Sequence, residues 1–293
     1  MSSQSRRCFL KGAGSLALSI ACTPAFAQAG ESTPIPAGTG LLARLKGAKK
    51  VRVGVAVDFP FSALNPDGTL TGVAPTITKV IMNRLGIPEV EGFIATYGEL
   101  IPGMMAGRWD FTSAALTISK ARCEQVRFAD PIVFGGDVIV ALDSHTGPMP
   151  KRLSELAKGG YDVAVLAGGV DLRSALAAGI APDKLRQFGN EALELDALLA
   201  NRVQFAIMSP NPVRTLSKQR NLQLKTTFPV EDAPARGAAC AFRNQDTDLH
   251  AAYNAQLRAM KASGELTAIL KQFDFETPPQ MRNVTVDQLC AAA

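Results

Sequence analysis

The sequence contains few of the residue types that build metal centres and nucleophilic active sites. Only 2 His and 5 Cys occur among its 293 residues, and no Cys-x-x-Cys pair or Cys/His spacing indicates a metal site. No Ser-His-Asp or Cys-His arrangement indicates a catalytic nucleophile. We therefore expect no metal, no cofactor and no catalytic residue, and predict that the protein is not an enzyme.

The sequence also has no long apolar run and no basic stripe. No apolar stretch reaches the ~20 residues that a membrane-spanning helix needs. Lys and Arg do not alternate with aromatic residues along any segment, which argues against a nucleic-acid partner. The formal net charge is +5, but Arg6, Arg7 and Lys11 supply three of those charges in a segment without acids. The 47% hydrophobic and 19% charged residues predict a folded chain with a substantial core.

The N-terminus carries an export pattern. Residues 5–11 resemble the twin-arginine motif, residues 12–22 are apolar, and residues 25–27 form a small-x-small cleavage site before Gln28. We predict a signal peptide at residues 1–27 and a flexible leader at residues 28–40, with the mature protein in the periplasm. A single membrane anchor and a lipid anchor at Cys22 are the alternatives.

Export would leave three cysteines in an oxidising compartment. Cys123, Cys240 and Cys290 allow at most one internal disulfide and leave at least one free thiol. The pairing stays open at this point.

Hydrophobic periodicity divides the rest of the chain into two α/β units. In the first, strands at residues 51–57, 89–94 and 109–116 alternate with helices that start after Gly72 and near Tyr97. In the second, strands at residues 162–166, 185–188 and 203–208 alternate with helices at residues 171–178 and 192–200. Residues 131–142 and 238–242 look like strands, and residues 248–263 and 265–272 look like helices.

Such alternation predicts mixed or parallel sheets covered by helices. We expect lobe 1 to comprise residues 41–140 and 241–293, and lobe 2 to comprise residues 141–240. The chain would cross between the lobes twice, which creates a hinge and a cleft that can enclose a ligand.

Four segments, in this order, are typical of one family. They are residues 53–61 with 68–72, residues 97–103, residues 107–122, and residues 128–131 with 261–266. On these segments the chain resembles the type II periplasmic solute-binding proteins of polar amino acid ABC importers. Residues 70–75, 85–92, 122–123 and 288–291 are most similar to ectoine- and hydroxyectoine-binding proteins. The resemblance implies a hinged two-lobed α/β fold, a monomer, a small zwitterionic ligand, and the permease subunits of the importer as partners.

The resemblance also implies a set of ligand-binding residues. Arg122 would hold the ligand carboxylate, because a guanidinium presents a planar fork of N–H donors; the alternative is a surface Arg paired with Glu124. Asp58 would hold the cationic end, while Phe61 and Tyr97 would stack on it. The remaining positions are expected at the cleft walls: Ala115, Thr117, Gly169, Val170, Asp171 and Ser209.

Three of these positions depart from the family pattern. Thr117 stands where ectoine binders would have an aromatic ring, and Val170 stands where many relatives have Thr. Residues 208–211 contain no acid, although amino acid binders usually have an Asp there for the α-ammonium. That absence favours a ligand with a delocalised or ring-held cation.

Several functions fit this pattern. The first is a receptor for an ectoine-like zwitterion, and the second is a receptor for a polar amino acid or opine. The third is an enzyme similar to cyclohexadienyl dehydratases, which resemble these receptors. A sensor domain is disfavoured, because no signalling segment is present.

Overall fold

The computed structural model describes residues 40–276 and 283–291. The predicted signal peptide and almost all of the predicted leader lie outside these residues. Within the described part of the chain, no helix is long and apolar enough to cross a membrane.

Residues 40–135 contribute eight strands and four helices. They are α1 (Leu41–Ala48), β1 (Lys50–Val55), β2 (Ala63–Leu64), β3 (Leu70–Thr71), α2 (Val73–Arg84), β4 (Glu89–Ile94), α3 (Leu100–Met105), β5 (Phe111–Thr112), β6 (Leu116–Thr117), α4 (Lys120–Cys123), β7 (Arg127–Phe128) and β8 (Val133–Gly135).

The second half continues the alternation of strands and helices. Its elements are β9 (Val138–Leu142), α5 (Leu153–Gly159), β10 (Val163–Leu166), α6 (Val170–Ala177), β11 (Leu185–Phe188), α7 (Glu191–Leu199), β12 (Phe205–Met208), α8 (Pro210–Arg220), β13 (Leu224–Thr227), β14 (Arg236–Ala239), β15 (Ala241–Phe242), α9 (Thr247–Ser263), α10 (Glu265–Gln272) and α11 (Val286–Ala291).

Each lobe is built on one five-stranded mixed sheet. The lobe 1 sheet has the order β4-β1-β5-β15-β7, with β1 parallel to β4 and β5, and β15 antiparallel to both of its neighbours. The lobe 2 sheet has the order β11-β10-β12-β9-β13, with β10 parallel to β11 and β12. Strands β10 and β12 are buried along their whole length, because apolar clusters cover both faces of this sheet. The predicted two-lobed α/β fold is confirmed.

A three-stranded sheet of order β6-β14-β8 connects the lobes. The chain leaves this sheet after β8 to enter the lobe 2 sheet at β9, and returns to it at β14. Strand β15 then pairs within the lobe 1 sheet. The exact lobe boundaries that we expect near residues 140 and 240 stay a prediction.

Two sequence-based assignments in lobe 1 were too long. The strand expected at residues 109–116 is interrupted between β5 and β6, where Ala115 adopts a φ of 48° that no extended strand allows. The helix expected from Tyr97 begins only at Leu100. The carboxylate of Glu99 accepts hydrogen bonds from the Thr96 backbone N–H and hydroxyl at 2.9 and 2.8 Å, which holds residues 96–99 as a turn.

The three cysteines of the described residues form one disulfide bridge. Cys123 is joined to Cys290, which ties α4 to α11, and Cys240 is a buried free thiol. This agrees with the expectation from the sequence that these three cysteines form at most one internal disulfide and leave at least one free thiol.

Candidate ligand-binding site

A small cavity of about 70 Å³ lies between the two lobes. All ten residues predicted for the site line it, together with residues that were not predicted. Several follow the carboxyl ends of sheet strands, where open α/β sheets form their crevices. Asp58 follows β1, Gly169 follows β10 and Ser209 follows β12. A cavity of this size suits one small solute rather than a chain of sugars or residues.

Arg122 is buried at this cavity and joins the lobes. It is 6% exposed. Its two terminal nitrogens donate hydrogen bonds to the Thr117 carbonyl at 2.8 Å and the Gly168 carbonyl at 2.9 Å. A guanidinium has five N–H groups, so three remain for a ligand. Burial lowers the pKa of Arg122 to about 10, and the group stays charged at neutral pH.

Arg122 has no acidic partner in the described part of the chain, since no carboxylate forms a salt bridge with it. In particular, the alternative pairing with Glu124 is not formed. A buried cation without a counter-ion is costly. The cavity therefore offers a ready partner for an anion.

Asp58 lies in the same cavity and is 3% exposed. Its carboxylate accepts hydrogen bonds from the Tyr97 hydroxyl at 3.2 Å and from the backbone N–H of Glu191 at 3.3 Å. The tight turn from Asp58 to Ser62 fixes its backbone through N–H to carbonyl bonds of 2.8 and 3.1 Å. Burial raises the pKa of Asp58 above its ordinary value, because the charged form loses its hydration.

Glu191 is a cavity residue that the sequence analysis missed. It is the first residue of α7 and is 3% exposed. Both of its carboxylate oxygens accept the backbone N–H of Ser209, at 3.1 and 3.2 Å. Burial, followed by the charge of Asp58, raises the pKa of Glu191 well above its ordinary value. The acid that residues 208–211 lack is thus supplied beside Ser209 by another element.

Asp171 also lines the cavity, but its carboxylate faces its own loop. One oxygen accepts the Leu166 N–H at 2.7 Å, which holds the turn between β10 and α6. A side chain at Gly169 would meet the other oxygen at 2.0 Å, so the turn requires glycine there. Burial, followed by the charge of Asp137, raises the pKa of Asp171 to about 7. Asp171 therefore shapes the expected backbone turn at Gly169 and Val170.

Asp137 and Arg236 form a charged pair in the cavity wall where the chain crosses between lobes. They form a two-point salt bridge, in which one Arg236 nitrogen donates to Asp137 at 2.6 Å. The same nitrogen donates to the Ser174 hydroxyl at 2.7 Å. Because these charges neutralise each other, Arg122 is the lining cation without a salt bridge among the described residues, and Asp58, Asp171 and Glu191 are the lining anions without one.

Three aromatic rings line the cavity. Phe61 borders the cavity, and its ring centroid lies 5.4 Å from that of Phe275. Tyr97 also borders the cavity and is buried. Thr117 also lines the cavity and contributes no aromatic ring. The third ring is Phe134 on β8, which the sequence analysis missed.

The chain is similar to known solute-binding proteins. Residues 51–277 match the family "Bacterial extracellular solute-binding proteins, family 3". The chain is 25% identical, over 87% of each chain, to the probable amino-acid ABC transporter periplasmic-binding protein y4tE of Sinorhizobium fredii.

Solved structures of other binding proteins share this fold. The crystal structure of EhuB in complex with hydroxyectoine matches with a TM-score of 0.81 and 28% identity, over 87% of this chain and 99% of that one. A mutant of ArgBP from T. maritima matches with a TM-score of 0.71 and 25% identity, over 79% and 98% of the two chains. The family expected from the sequence is confirmed: the chain belongs to the bacterial extracellular solute-binding proteins of family 3.

Proposed function

We propose that this protein is the periplasmic binding subunit of an ABC importer, and that it encloses one small zwitterionic solute between its lobes. The arrangement of unpaired charges carries the proposal. Arg122 offers an unpaired cation to the cavity, and Asp58 and Glu191 offer unpaired anions to the same cavity. A zwitterion satisfies both kinds of buried charge at once, whereas a simple anion or cation leaves one kind without a partner and an apolar solute leaves both.

Arg122 holds the carboxylate of the solute in this proposal. Its three free N–H groups match two carboxylate oxygens in a bidentate arrangement. Because Arg122 also donates to Gly168 across the cleft, the bound carboxylate sits beside a contact that joins the lobes.

Asp58 and the three rings hold the other end of the solute. The Asp58 carboxylate gives a counter-charge, and Phe61, Tyr97 and Phe134 offer ring faces and edges to a cation. Hydroxyectoine, which the similar EhuB structure contains, has this combination of carboxylate and cationic ring. A polar amino acid, such as the arginine suggested by the ArgBP relative, is the second candidate, because Glu191 supplies an acid that could meet an ammonium.

The remaining parts of the proposal concern the setting of the protein. The N-terminal sequence pattern supports export by the twin-arginine route, and the similarity to a probable amino-acid ABC transporter periplasmic-binding protein supports delivery of the solute to permease subunits. We also propose that the protein acts as a monomer. We also propose binding without turnover.

Titration calorimetry on the mature protein tests the proposal. We expect hydroxyectoine or L-arginine to bind the wild-type protein, and Arg122→Ala to weaken that binding by roughly 30-fold or more, since removal of one member of a buried charge pair costs about 2 kcal/mol or more. Arg127→Ala is the matched control, because Arg127 is an exposed Arg on β7 that does not line the cavity. Tight binding in Arg122→Ala contradicts the carboxylate role.

A further inference from the structure

Glu191 is a buried carboxylate whose charge is not balanced within the protein. Its side chain lines the cavity and accepts only the Ser209 N–H among the hydrogen bonds of the described residues. No Lys, Arg or His in residues 40–276 or 283–291 forms a salt bridge with it. A buried carboxylate in this condition requires a proton or an external cation.

Glu191 and Asp58 meet at the same side of the cavity, one from each lobe. The backbone N–H of Glu191 donates to the Asp58 carboxylate at 3.3 Å, although the two residues are 133 positions apart. Closure of the lobes therefore brings two carboxylates together. A positive group placed between them removes their repulsion and joins lobe 1 to lobe 2.

The other charged groups around Glu191 do not supply that positive group. The titratable groups that interact with Glu191 are acids and one phenol: Asp58, Asp171, Glu194 and Tyr97. Arg122 is the one cation of the described cavity wall without a salt bridge. The cations of the elements packed on α7 lie at the surface. Arg186 on β11 pairs with Asp162, Lys218 and Arg220 on α8 pair with Asp274 and Asp196, and Arg214 on α8 is exposed.

We propose that Glu191 is a specificity-determining residue, which together with Asp58 binds the cationic group of the ligand through N–H donors, one carboxylate from each lobe. This inference rests on the proposed function. It narrows the ligand to zwitterions whose cation carries at least two N–H groups, such as an amidinium, a guanidinium or a primary ammonium.

A quaternary ammonium does not fit this subsite. It has no N–H donor, so it leaves the carboxylate oxygens of Asp58 and Glu191 buried without hydrogen bonds from the ligand. The aromatic rings alone would attract either kind of cation. The two carboxylates therefore discriminate between cations that carry N–H groups and cations that do not, whereas the aromatic rings attract both kinds.

Glu191→Gln tests the inference by titration calorimetry with hydroxyectoine and L-arginine as probes. Gln keeps an oxygen that can accept the Ser209 N–H, and it removes the charge. We expect the affinity for the bound probe to fall at least 10-fold, while the thermal midpoint of the ligand-free variant is equal to or above that of wild type.

Asp196→Asn is the matched control. Asp196 lies on the same helix α7, is exposed where it pairs with Arg220, and does not line the cavity. We expect this variant to bind within 2-fold of wild type, because its charge lies outside the cavity.

The pH profile separates a charge role from a structural one. As pH falls from 8 to 5, protons compete with the ligand cation for the two carboxylates, so the wild-type affinity should fall. The fall should be shallower in Glu191→Gln, which has one competing carboxylate fewer. A residue that only supports the Ser209 turn would leave the slope unchanged.

The outcomes distinguish this inference from the proposed function. If a probe binds the wild-type protein, Arg122→Ala abolishes that binding and Glu191→Gln leaves it unchanged, the role of Glu191 is wrong and the proposed function stands. Glycine betaine, a quaternary ammonium zwitterion, binding as tightly as the better probe also overturns it. If neither probe binds the wild-type protein, or if Arg122→Ala binds normally, the proposed function itself is wrong.

Discussion

Gly168 offers a direct test of whether ligand binding requires the lobes to meet as they do here. It lies in the turn after β10 of lobe 2, and the chain of lobe 1 passes close to it at Gly98. A Cβ added at Gly168 would lie 2.6 Å from the Gly98 nitrogen and 2.8 Å from its Cα. Because both are backbone atoms, neither can rotate away. In Gly168→Ala, the two lobes can therefore meet as they do here only if the backbone at Gly98 or at residue 168 shifts.

The expected effect has two parts. Gly168 has a φ of 72°, so Ala pays a backbone cost of about 1 kcal/mol whether the lobes are apart or together. The contact with Gly98 exists only when the lobes meet, and overpacking of this kind costs about 1–3 kcal/mol. Only the second cost opposes ligand binding. We expect the affinity to fall roughly 5- to 150-fold.

Gly160→Ala provides a matched control for the backbone cost. Gly160 follows α5 in lobe 2, has a φ of 64°, and has open space where a Cβ would stand. Both variants should lose similar stability as ligand-free proteins in thermal unfolding. Only Gly168→Ala should lose affinity for hydroxyectoine or L-arginine in titration calorimetry.

One result would refute this reasoning. If Gly168→Ala binds the solute as tightly as Gly160→Ala, the lobes do not need the approach of Gly98 to Gly168 in order to enclose a ligand. The hydrogen bond from Arg122 to the Gly168 carbonyl would then have no part in binding either.

Two further predictions concern stability. Cys123 and Cys290 are 167 positions apart, so reduction of their disulfide should lower the free energy of unfolding by about 2–5 kcal/mol in denaturant titrations; equal midpoints with and without reductant would contradict this. Burial raises the pKa of Asp171 to about 7, so the folded state holds this proton more tightly than the unfolded state does. The resulting stability is present below the ordinary Asp pKa and is lost as pH rises through 7. Asp171→Asn should therefore reduce the drop in thermal midpoint between pH 5 and pH 8, and an unchanged drop would show that other groups cause it.

The strand and helix pattern was largely predictable, because periodicity is a local property of the chain. The alternating Val residues of β1, the strand β11 and the helix α10 lie where their sequence pattern predicts them. The pattern did not predict α8 and β13, and it extended the third strand through Ala115. The positive φ there depends on how the chain turns between two sheets, which no local preference of Ala indicates.

The position of the proposed site was also predictable in part. Asp58 and Arg122 belong to segments that resemble a known family, and Gly169 and Ser209 follow predicted strands. The structure brings all of these residues to one cavity. Their roles toward a ligand stay predictions that the variants above test.

The sequence alone determined the class of fold and the maximum of one disulfide among three cysteines. It also determined which residues stand at the carboxyl ends of the strands. Only the tertiary structure decided the charge balance of the cavity. Glu191 begins a helix that looks ordinary in sequence, and Asp137 finds Arg236 at a distance of 99 positions. Which charges neutralise each other and which remain unpaired depends on distances between lobes, because electrostatic partners are chosen in space and not along the chain.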